Sequence, residues 1–182
     1  MNYKQKFWLL IGPVVFSFVV AMTTPVIQVH FIKLVDSNIL AVANMLSVGI
    51  AAITNTSIAN KKLLECYNRH FVIIVAIDII SFIIVSCIGM ELASARFIGM
   101  AIIEAISTTL WVCIMRNSVN NVVNGEELTI WQSLSNSYEM YASLLGGFVI
   151  LMLGSIHIEI AIAIQCLANL FMGLTDLKAK KY

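Results

Sequence analysis

Six stretches of mostly apolar residues, at 7–32, 37–58, 71–88, 93–115, 130–153 and 156–175, succeed one another with little between them. A backbone that crosses about 30 Å of hydrocarbon needs roughly 20 such residues when it is helical. Inside lipid, each N–H and C=O must also find its partner within the protein. Together these demands predict an all-α integral membrane protein of six transmembrane helices, forming one six-helix membrane domain over residues 1–182. Composition agrees, since 60% of the 182 residues are hydrophobic and 12% are charged, against about 45–50% and 25% in soluble domains. Little chain is left for a domain outside the bilayer.

The 11 Lys and Arg residues are distributed very unevenly between the two sets of span ends. Lys4, Lys6, Lys61, Lys62, Arg69, Arg116, Lys178, Lys180 and Lys181 fall on one side, and Lys33 and Arg96 on the other. Basic residues collect on the cytoplasmic face, so both termini are expected in the cytoplasm and the chain in the cell membrane. Arg96 lies near enough to the outer end of its span for the guanidinium to reach water.

Several function classes find no support. The net charge of +1 and the absence of a long basic run give no reason to expect nucleic acid as a partner. Cys66, Cys87, Cys113 and Cys166 form no C-x-x-C pair, which argues against a redox motif or a zinc site. His30, His70 and His157 are dispersed between two sides of the membrane, so no metal site is expected. Phosphate-binding, dinucleotide and hydrolase motifs are missing. Neither an enzyme nor a cofactor is expected.

What remains informative is the polar content of the spans. In the first, Ser17, Ala21, Thr24 and Gln28 recur at helical spacing, and Pro25 is expected to kink the outer half. In the second, Asn44, Ser47, Ala51, Thr54 and Asn55 share a stripe. Asp78 lies near the centre of the third, where a carboxyl group costs about 2.5–3.5 kcal/mol on insertion scales and must be paired, protonated or functional. Glu104 lies mid-span in the fourth, with Ser107, Thr108 and Trp111 on the same side. A polar loop is expected at 116–129. The fifth span carries Gln132, Asn136, Glu139, Ser143 and Gly146 three or four residues apart, and Gly154 with Ser155 turns the chain into the sixth.

The region 93–147 adds a resemblance. Ala95, Arg96, Phe97 and Gly99 are similar to the fourth-span signature of the major facilitator superfamily, although the glycine comes three residues after the arginine here and four in the family. The segment 124–129, NGEELT, resembles the family's acidic loop after that span, and Leu144, Leu145, Gly146 and Gly147 look like the glycine-rich end of the fifth span. Between the second and third spans Ala59, Asn60 and Lys61, then Asn68, Arg69 and His70, stand where the family has a glycine-aspartate-arginine pattern. Asparagine replaces the aspartate and the glycines are missing, so a gating salt bridge is not expected there.

The chain thus resembles one six-helix half of a major facilitator transporter, and the resemblance implies a cavity, a partner and an activity. The first and fourth helices would line the cavity, with the second and fifth facing a second half. A homodimer or a second six-helix chain would be needed, because such sites form at the interface of two repeats. The expected function is proton-coupled transport of a small solute, export included, with the lipid bilayer and that solute as the other partners. Glu104, Glu139 and Asp78 are the candidate proton carriers, since mid-span carboxyl groups can take up and release a proton during transport. Gln28, Asn44, Trp111, Gln132 and Asn136 are the candidate substrate contacts. Two other classes stay open: a substrate-capture membrane subunit of an energy-coupling transporter, and a non-transport membrane factor whose polar stripes only hold helices together.

Overall fold

The computed structural model describes residues 3–58, 65–66, 69–123, 125–154 and 156–181. The positions Ala59, Asn60, Lys61, Lys62, Asn68, Asn124 and Ser155, singled out above, lie outside the described residues. Those described are almost all helical, without a strand among them.

Among the described residues six helices follow in order: α1 (Tyr3–Ile32), α2 (Ser37–Ile58), α3 (Phe71–Ser86), α4 (Ala93–Val122), α5 (Glu126–Leu153) and α6 (Ile158–Lys181), with a short 3-10 turn at Met90–Leu92 before α4. Among the described residues four of them, α1, α2, α4 and α6, are long and apolar enough to cross a membrane. The apolar α3 has 16 residues, which at a rise of about 1.5 Å each gives roughly 24 Å of helix. In α5 the stretch from Gln132 through Glu139 is largely polar, and a continuous apolar run begins only at Leu144.

The helix ends have local causes. Asp36 closes the turn before α2, where its side chain accepts hydrogen bonds from the Asn38 N–H at 3.3 Å and the Ser37 hydroxyl at 3.2 Å, satisfying donors that a helix start leaves open. Gly125 precedes α5 with φ +62° and Gly154 ends it with φ +76°, a left-handed backbone that residues with a Cβ adopt at a cost. Proline stands inside α1 at positions 13 and 25, where the missing N–H and the ring disturb the ladder one turn earlier.

The segment 116–129, expected as a loop, is largely helical: α4 continues to Val122 and α5 already begins at Glu126. The polar residues there are only weakly opposed to helix. One of them, Ser118, is buried and hydrogen-bonded to Asp176 of α6, so packing decides.

Two compact units can be distinguished, one comprising Met1–Ile27 with Met115–Tyr182 and the other Gln28–Ile114. In the first, α1 meets α5 and α6 through small residues: a Cβ at Gly12 would run into the Thr175 side chain, and one at Gly146 into the Phe18 carbonyl oxygen. Small residues of this kind let helix backbones approach closely where no water drives them together. In the second unit the rings of Phe31 and Phe97 lie 5.1 Å apart. Ser47 donates a hydrogen bond to the Ala101 carbonyl at 3.2 Å, and Gly99 faces Val85.

Candidate functional site

An open cleft of about 930 Å³ runs along α5 in the first unit. Its polar end is formed by Ser17 of α1 with Asn136, Glu139 and Ser143 of α5; its apolar end includes Leu144, Phe148 and Leu151. The α5 positions fall into register because eleven residues bring an α-helix back to nearly the same angle, and Asn136 and Gly147 are one such step apart. Gly146, one residue earlier, points instead to the close contact with Phe18. The same helix therefore packs on one edge and opens a cleft on the next.

Glu139 is half-buried, and Ser135, one turn before it, donates a hydrogen bond to its Oε1 at 2.9 Å. Ser143 reaches the Ser17 carbonyl at 3.5 Å, the outer limit of a hydrogen bond. Asn136 is exposed. Gln132, although on the same helix and exposed, is not part of the cleft lining. Of the three α5 candidates the structure thus brings two together, Asn136 and Glu139, and leaves the third one turn away.

The remaining candidates belong to the second unit. Asp78 is 6% exposed and accepts a hydrogen bond from the Ser107 hydroxyl of α4. Glu104 is half-buried, while Gln28 and Asn44 are exposed. Trp111 is buried at 2% exposure, so its ring is part of packed interior. Arg96, expected to extend to water, is buried too, at 5% exposure, with its guanidinium 5.9 Å from the centroid of the Phe31 ring. That aromatic face offers the cation an alternative to the membrane surface.

The first unit also holds buried polar groups outside the candidate set. Thr23 of α1 and Gln165 of α6 are buried against each other, with Thr23 Oγ1 3.3 Å from Gln165 Oε1. Asp176 is fully buried, accepts a hydrogen bond from Ser118 at 2.9 Å and pairs with Lys180 at 2.5 Å. A signal for it was present: Asp176 and Lys180 stand four apart, a spacing that pairs opposite charges on a helix. Nearby in the chain, Lys178 lies 4.3 Å from the centroid of Trp8. Lys6 pairs with Glu127, and its hydrogen bond and charge hold the Glu127 carboxyl below its ordinary range. These contacts tie the start of α1 to the start of α5 and to the end of α6.

Among the described residues no three His, Cys, Asp or Glu side chains converge on a point where a metal ion would sit. No protein-family model, curated protein or solved structure matches this chain.

Proposed function

We propose that the chain crosses the cell membrane six times with both termini cytoplasmic, and that it works as a half-size transporter of the major facilitator kind. It moves a small solute in exchange for, or together with, protons. The observation that supports this reading best is the cleft on α5, where Ser17, Asn136, Glu139 and Ser143 turn hydrogen-bonding groups and a carboxyl group into open space. Polar groups inside an apolar helix are costly unless they face protein or water, and a cleft is where they can face a solute.

The exposed polar residues of α2 and α5 support a partner. On α2 Asn44 is exposed, and on α5 Gln132 and Ser133. Lipid satisfies none of them, so a second copy or another six-helix chain is the cover we propose.

The test is solute-driven proton movement in proteoliposomes that hold an entrapped pH dye, with ethidium, leucine and glucose as solutes. The wild type should move protons with at least one of them, and E139Q or E104Q should abolish the movement. Proton movement unchanged in both variants would sink the coupling. Native mass from the gently extracted membrane checks the partner: a stable monomer, or a complex with an ATPase, would replace this reading with a non-transport role or a capture subunit.

A further inference from the structure

We propose that the α5 cleft binds an amphipathic organic cation, its charged group at Glu139 and its apolar body along Leu144, Phe148 and Leu151. The proposal deepens the transport reading and rests on it for its biological role.

Several features of the cleft carry it. Among the described residues Glu139 is the one ionisable side chain in the lining, and no basic residue accompanies it there. An anion would meet uncompensated like charge, whereas a cation finds a counter-charge at the polar end of the cleft. The Ser135 hydroxyl fixes Oε1 of Glu139 at 2.9 Å, orienting the carboxyl group before any ligand arrives. Polarity is also graded along the helix: hydrogen-bonding groups occupy the turns from Asn136 to Ser143, and apolar side chains the turns to Leu151. Fifteen steps along the helix, from Asn136 to Leu151, at about 1.5 Å each make that gradient roughly 22 Å long. A bulky apolar cation can therefore bring its positive charge to Glu139 and lay its hydrocarbon on the apolar turns.

The wall chemistry agrees. Met140 and Phe148 line the cleft, a polarisable thioether and an aromatic face that suit a diffuse organic cation better than a small hydrated ion. Gly147 belongs to the same lining, and a Cβ there would meet nothing within 4 Å. The absent side chain keeps the space open. A volume of about 930 Å³ also falls within the roughly 300–1,000 Å³ of small-molecule sites.

Tetraphenylphosphonium and tetraphenylborate share shape and differ in the sign of charge, so they isolate the electrostatic part. Binding of each would be measured by equilibrium dialysis against the protein in dodecyl maltoside, an uncharged detergent, with empty micelles subtracted. Wild type should hold the phosphonium at least about tenfold more tightly than the borate, and E139Q should lose about that factor for the phosphonium alone. G147L, which adds a side chain in open space, should weaken the phosphonium while keeping the elution volume and melting temperature of the wild type. Phosphonium binding that is absent, or equal in wild type, E139Q and G147L, overturns the proposal. Cation binding without solute-driven proton movement leaves the site standing and removes transport. Movement of leucine or glucose without cation binding does the reverse.

Discussion

Asp78 and Glu139 are both carboxyl groups placed inside long helices, yet the two surroundings differ. Asp78 is buried, and its partner Ser107 comes from another helix, 29 residues away in the chain. Glu139 is half-buried, its partner Ser135 is one turn away on its own helix, and it borders open space. A carboxyl group held by a distant element contributes to the packing of that element. One held by its own helix is positioned without depending on the rest of the fold. The contrast separates a group whose removal should loosen the protein from one whose removal should change only what the protein binds.

The sharpest test of this division uses adjacent residues. G146L would drive a side chain into the Phe18 carbonyl and should cost about 1–3 kcal/mol or more, as overpacking does, read as a fall in melting temperature in detergent. G147L should leave that temperature unchanged. If both variants melt alike, the packing edge and the cleft edge of α5 are not distinct.

D78A should come next, with a loss of about 1–2 kcal/mol, the upper range for interhelical hydrogen bonds in membrane proteins. S107A should show about 0.6 kcal/mol, nearer the average. E139Q should unfold like the wild type; an equal loss in D78A and E139Q would break the comparison.

The smallest effect concerns pH. Lys6 lowers the folded-state proton affinity of Glu127, so the folded protein binds fewer protons there than the unfolded chain. The associated stability is present above the ordinary glutamate range and disappears as pH falls through the lowered folded value. K6Q should therefore melt slightly below the wild type at neutral pH, by a small margin because the pair is largely exposed. That margin should close as the pH is brought down through the acidic window; a gap that persists in acid would show that Lys6 acts by packing and not by charge.

Much of the fold was legible because membrane crossing leaves so few options. Apolar runs of about 20 residues have to be helices, and four helices meet that description outright. The stripe of Asn136, Glu139 and Ser143 was readable as well, since helical periodicity alone sets which residues share a side. The contacts that depend on distant partners were not readable in that way. Nothing local marks Ser107 as the partner of Asp78, or Ser118 as that of Asp176, because each pair is closed by packing between helices. Arg96 shows the same limit: its distance from the end of the span suggested water, and the Phe31 ring that covers one side of it comes from a different helix.

The flank of the cleft has a further consequence. Leu144, Phe148 and Leu151 are 70%, 59% and 79% exposed, so if α5 spans the bilayer as proposed and the second chain leaves this flank uncovered, a ligand would arrive sideways from the acyl chains. Occupancy would then track the amount dissolved in the membrane. Two compounds with the same intrinsic fit would differ in apparent affinity by the ratio of their partition coefficients, and the lipid itself would set the working concentration.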